Sequence, residues 1–161
     1  MRIRKASGGE MLSLWGYPDL GEAPPTARYF YRNLAEGNAV FFAIDCSGEL
    51  IGELYAFVNI AEDSDFADGS TRAYLCAFRV KEEYRGRGLG SALMEAALAE
   101  LKAMGFESVS IGADDERHER LYRRLGFDKR IKDCFFDPCA RDEKMRPEPV
   151  EEGFRLLARD L

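Results

Sequence analysis

The segment Tyr84-Arg85-Gly86-Arg87-Gly88-Leu89-Gly90-Ser91 places three glycines within five positions. The run Ala73 to Val80 before it is apolar almost throughout and reads as a strand in the middle of a sheet. After it, Leu89, Leu93, Ala97, Leu101 and Met104 recur every three or four residues, the period of a helix that Gly105 then stops. A strand, a glycine-dense turn and a helix in that order form a cradle for an anion. Glycine lets the backbone approach a ligand closely, and the first turn of a helix offers N–H groups without intrahelical partners at the positive end of its dipole. Arg85 and Arg87 add positive charge to it.

The remaining periodicities place this unit inside a mixed α/β chain. Residues 2–6 read as a short strand, Glu10 to Trp15 as helical, and Pro18 to Pro25 as turns. A helix capped by Thr26 carries Tyr29, Phe30 and Leu34 and ends at Gly37-Asn38. Val40 to Asp45 and Leu50 to Ile60 alternate as an antiparallel hairpin, and an acidic loop runs from Ala61 to Ser70. Ser108 to Gly112 is a further strand, and Asp115 to Leu125 a charged helix stopped by Gly126. Phe127 to Phe136 and Phe154 to Leu161 read as closing strands. Between them Asp137 to Gly153, with Pro138, Pro147 and Pro149, reads as a long surface excursion.

With 161 residues, 46% hydrophobic and 32% charged, the chain has the size and composition of one domain, 1–161, able to build a core without disulfides. No apolar run reaches the roughly 20 residues of a membrane span and the first residues lack a signal-peptide core, so a cytoplasmic protein with no membrane partner is expected. Cys46, Cys76, Cys134 and Cys139 form no Cys-x-x-Cys pair, and His118 sits among arginines that would repel a cation; no metal is expected. A net charge of −6 argues against nucleic acid as a partner. The charges are also segregated. Gly37 to Ser70 contains no Lys or Arg, whereas Arg117 to Lys132 is strongly basic.

Two nucleotide-binding signatures fail on this segment. A Walker loop needs Gly-Lys-Ser/Thr, and Ser91 follows Gly90 directly. A dinucleotide fingerprint wants an acid at the end of the next strand, and Glu107 stands before that strand.

Arg85-x-x-Gly88-x-Gly90 resembles the acetyl-CoA signature of the GCN5-related N-acetyltransferases (GNAT), and Leu121-Tyr122-Arg123-Arg124-Leu125-Gly126-Phe127 is similar to that family's later conserved segment. The resemblance implies the GNAT fold: a mixed sheet of about six to seven strands with flanking helices, in which two parallel strands splay to admit the thioester. It implies acetyl-CoA as co-substrate, its pyrophosphate on the amides of Arg85, Gly86, Arg87, Gly88, Leu89, Gly90 and Ser91. The pantetheine arm would run along Phe78, Arg79 and Val80, where a backbone N–H could polarise the thioester carbonyl. Tyr122 matches the phenol that serves the departing sulfur; its alternative reading is a packed tyrosine beside Leu121 and Leu125. The strand acid that some members use as base is replaced here by Tyr74, which leaves Glu53 as the candidate base, with Glu62, Asp63 and Asp65 behind it. Direct transfer needs no enzyme nucleophile, so Cys76 reads as a core thiol.

The implied activity is an N-acetyltransferase acting on a primary amine of a small cationic molecule drawn in by the acidic stretch. A protein or peptide N-acetyltransferase and a non-catalytic coenzyme A binding module are the alternatives, and a homodimer is left open.

Overall fold

A computed structural model describes every residue, 1–161. The strands are β1 (Arg2–Ala6), β2 (Ala39–Cys46), β3 (Glu49–Phe57), β4 (Arg72–Val80), β5 (Ser108–Ala113), β6 (Lys129–Arg141) and β7 (Pro147–Asp160). The helices are α1 (Gly8–Trp15), α2 (Pro25–Ala35), α3 (Leu89–Ala103) and α4 (Glu116–Arg124). All seven strands form one sheet in the order β1-β2-β3-β4-β5-β7-β6, antiparallel except where β4 meets β5. No helix is long and apolar enough to cross a membrane.

The alternation of β2 and of the second half of β3 divides the core into two layers. Phe41, Tyr55 and Phe57 face α1 and α2, packing on Met11 and Phe30, while Phe42, Ile44 and Leu54 face α3 with its Leu93, Ala97 and Leu101. Helix and strand periods therefore agree on both faces, and the central strands are covered on each.

Three expectations are corrected here. The α1 helix begins earlier, because Ser7 and Glu10 form a reciprocal capping box. Thr26 is not the cap of α2: Pro24 holds that position, Pro25 supplies the first turn, and the Thr26 hydroxyl instead accepts the Arg141 amide at 3.1 Å. The excursion from Asp137 to Gly153 is not a loop but the outer half of a long β6–β7 hairpin. Its prolines are tolerated because β6 is the edge of the sheet, Pro147 opens β7, and Pro138 lies in the register shift between Asp137 and Arg141.

That hairpin is fastened by Arg141, which is buried. Its guanidinium lies 4.0 Å from the centre of the Tyr29 ring and donates to Glu62 Oε1 at 2.9 Å, the Tyr29 hydroxyl at 2.9 Å and the Met145 carbonyl at 3.2 Å. Lys132 pairs with Asp63 and Asp65. The acidic loop is thus consumed by the basic pole and does not face the site as a free attractor, and Glu62, Asp63 and Asp65 are not available as bases.

Candidate active site

The β4 and β5 strands pair from Arg72/Ser108 to Leu75/Ile111 and no further, although β4 continues to Val80 and β5 to Ala113. A gap opens in the middle of the sheet. Its β4 edge is kinked: the register against β3 slips by one between Tyr55/Cys76 and Glu53/Arg79, and Ala77, at the slip, has φ +51°. A non-glycine residue in that region costs on the order of 1 kcal/mol and re-aims the backbone groups that follow. Phe78, Arg79 and Val80, expected to bind pantetheine, lie directly beyond the kink.

At the foot of the gap lies a cavity of about 410 Å³ between the turn before α3 and the first turns of α4. Gly86 and Gly88 have φ of +77° and +78°, which bring the chain round into α3 with Gly88 as its N-cap. The amides of Gly86, Arg87, Gly88, Leu89, Gly90 and Ser91 donate to no group of the chain. The Arg85 amide is the exception to the expected set, since it donates to the Glu82 carbonyl at 3.1 Å. Its side chain is also engaged, with Nε donating to the Val80 carbonyl at 2.8 Å and so tying the turn to the strand end. Arg79, Arg85 and Arg117 line this cavity together with His118, and no carboxylate does. Arg117 was legible only as part of a basic run; the turn that carries it to the cavity follows from α4 packing on β5. In a chain of net charge −6, six orphan amides and three arginines with no carboxylate among them form a site whose donors fit a diphosphate.

A second cavity, about 700 Å³, opens on the opposite side of the gap. Phe78, Arg79, His118 and Tyr122 line both, so the two spaces meet there. Tyr122 is 7% exposed, and its hydroxyl has no hydrogen-bond partner in the chain. Burial, and then the charges of Asp114 and Asp115, push its phenol up to about 12.

Glu53 lines the second cavity as a buried carboxylate on β3. Its Oε1 accepts from Trp15 Nε1 and the Tyr55 hydroxyl, each at 2.8 Å, and its Oε2 pairs with Arg79 Nε at 3.1 Å. Three donors hold the group expected to be a base. Tyr74, on β4, is buried in the same wall, its ring edge-on to Phe66. Gly112 faces it from β5, where a Cβ would stand 3.3 Å from the Tyr74 hydroxyl and 2.8 Å from the Phe154 ring, so only glycine keeps this part of the cavity open. The Cys76 and Cys139 sulfurs lie 3.8 Å apart beside it as free thiols.

His118 lines both cavities and is held by two aspartates. Its Nδ1 lies 2.8 Å from Asp115 Oδ1 and 3.1 Å from Asp114 Oδ1, and Asp115 also caps α4 by accepting the His118 amide. The two aspartates, rather than the arginines of the same run, are therefore the charged groups in contact with its ring.

Residues 10–127 match the Acetyltransferase (GNAT) family. This chain belongs to that family. A mycothiol acetyltransferase of Thermobispora bispora is 33% identical over 101 residues, a match covering 61% of this GNAT chain and 33% of that protein. The chain thus spans about a third of the length of the mycothiol acetyltransferases it matches. Among solved structures, Arabidopsis thaliana NAA60 in complex with acetyl-CoA superposes with a TM-score of 0.67 at 18% identity, covering 99% of this chain and 98% of that one. A Drosophila melanogaster polyamine N acetyltransferase that forms N-acetylagmatine gives 0.65 at 19%, covering 99% of both. At such identities these neighbours show a shared GNAT fold.

Proposed function

We propose that this protein is an acetyl-CoA-dependent N-acetyltransferase that moves the acetyl group onto a primary amine of a small cationic molecule by direct attack on the thioester. The observation that carries the reading is the junction at Tyr122, where a cationic cavity of unpaired amides meets a cavity bearing carboxylates. In this reading the amides from Gly86 to Ser91 hold the pyrophosphate, and the kinked edge from Phe78 to Val80 takes the pantetheine arm as a strand-like partner. One of its N–H groups lies ready for the thioester carbonyl, a fixed dipole where negative charge develops.

Coenzyme A supplies the activated acetyl group, and the chain handles the protons. The acceptor ammonium loses one proton to solvent, its free amine attacks the carbonyl carbon, and the carbon–sulfur bond breaks. The Tyr122 hydroxyl donates to the departing sulfur. Full transfer from a phenol near 12 to the thiolate of an ordinary thiol, near 8.5, is uphill by about 5 kcal/mol. Tyr122 therefore acts as a hydrogen-bond donor, and a proton reaches sulfur only as the new amide nitrogen releases its own. Glu53 keeps a place in this proposal as the anchor of Trp15, Tyr55 and Arg79 in the acceptor wall, rather than as a free base.

Incubation with acetyl-CoA and an amine panel, following free thiol and a mass gain of one acetyl group, tests the proposal. Thiol release that depends on small amines supports it; turnover of peptides alone, or tight coenzyme A binding without turnover, overturns it.

A further inference from the structure

Resting on the acetyl-transfer reading, we propose that Asp137 is the residue that receives the acceptor's ammonium, and that the acceptor is a monoamine with an apolar body. Three carboxylates border the 700 Å³ cavity: Glu53, Asp114 and Asp137. Glu53 is ion-paired with Arg79 at 3.1 Å, and Asp114 is three-quarters exposed at the rim, where solvent hydrates it and the His118 ring lies 3.1 Å away. Asp137 forms no ion pair.

Its position follows from the bulge in β6. The strand leaves register after Asp137, and the segment Pro138 to Ala140 curls back so that Asp137 Oδ1 accepts the amides of Cys139 at 2.9 Å and Ala140 at 3.2 Å. No side-chain donor of the chain reaches Oδ2. Its charge acts on two neutral groups of the same cavity wall, Tyr74 from β4 and Cys139 from β6, while the nearby Arg141 guanidinium is spent on Glu62 and Tyr29. Burial holds the Tyr74 phenol and the Cys139 thiol neutral, with the Asp137 charge among the further causes. A recessed carboxylate with a fixed orientation, neutral neighbours and an unused oxygen lacks one thing, a cation with N–H donors. A primary ammonium bound in the cavity that Asp137 and Tyr122 both line supplies it.

The same inventory limits the acceptor's other end. Toward α1 and α2 the cavity is walled by Leu14, Trp15, Tyr17 and Phe30, and the one carboxylate there, Glu53, is already neutralised. A second or third ammonium would be desolvated against aromatic rings with no free partner, whereas an aromatic or branched alkyl body buries its surface there. Polyamines fit this cavity poorly on that ground.

The test compares the native chain with Asp137→Asn, whose amide oxygen still serves the Cys139 and Ala140 amides. Coenzyme A binding is measured by calorimetry, and steady-state turnover with 2-phenylethylamine and with spermidine. The expected result is a KM for 2-phenylethylamine about 10-fold below that for spermidine in the native chain, and raised about 10-fold or more by Asp137→Asn. The KM for acetyl-CoA stays where it was. An unchanged amine KM in the variant, or a native preference for spermidine, overturns the inference and leaves the acetyl-transfer reading standing. Failure of the native chain to bind coenzyme A overturns that reading itself. If Asp137→Asn melts early, Asp137→Ser, whose hydroxyl also caps the two amides, replaces it with the same expectations.

Discussion

Two residues of the cofactor side do different kinds of work, and substitution separates them. Gly88 holds a φ of +78° with nothing within 4 Å of where a Cβ would stand, so Gly88→Ala is penalised by backbone conformation and not by collision. It should cost about 1–2 kcal/mol in chemical denaturation and weaken coenzyme A binding, because the orphan amides beside it are re-aimed. Tyr122→Phe removes one hydroxyl from a buried ring that packs on Phe127. It should lower kcat by about 100-fold while coenzyme A binding measured by calorimetry stays intact; unchanged turnover would reduce Tyr122 to packing. With the phenol pushed up to about 12, it stays protonated across the working range. The kcat profile of the native enzyme should then rise with pH as the acceptor ammonium deprotonates, and show no falling limb near pH 10, where an unperturbed tyrosine would begin to ionise.

Among the elements, the β6–β7 hairpin is the one that local pattern reading missed, and the reason is physical. Prolines and charges signal a loop when the chain is read alone, but an edge strand can spend its unpaired side on solvent and place its prolines at bulges. What holds the segment is distant in sequence: Arg141 reaching Glu62 and Tyr29. Arg141→Ala should therefore destabilise the fold by about 2 kcal/mol, by emptying the site over the Tyr29 ring and leaving the Pro138 and Met145 carbonyls without a donor while the exposed Glu62 is hydrated, read as a lower denaturation midpoint. That Asp137 lines the larger cavity was unreadable for the same reason, since only the bulge brings it there. The turn from Tyr84 to Ser91 and the Leu121–Phe127 segment were legible because each is a local pattern whose geometry is set within one helix start or one helix end. The parallel pairing of β4 with β5 follows from the helix between them; the insertion of β7 between β5 and β6 does not follow from chain order at all.

Over the whole molecule, ion pairs tie together elements that are distant in sequence. One expression of this is the acid limb of stability. Arg4 donates to both Glu10 and Asp45, holding both carboxyls below their ordinary values and linking β1, α1 and β2. Because these values are lower in the folded chain than in the unfolded one, the unfolded chain binds more protons in acid. The stabilisation is complete above the ordinary carboxylate range near pH 4 and is lost as pH falls through the folded values. Arg4→Met should lower the melting temperature at pH 7 and shrink the difference between pH 7 and pH 3. The gap between β4 and β5 has a consequence of another kind. Bare strand edges at the rim of a sheet invite other copies of a chain to zip onto them and aggregate. Here the deepest unpaired edge is recessed at the centre, beside α3 and α4, where a second polypeptide cannot enter but a slender thioester arm can. On the proposed reading, the molecule thus reserves raw main-chain stickiness for its donor while withholding it from its own kind.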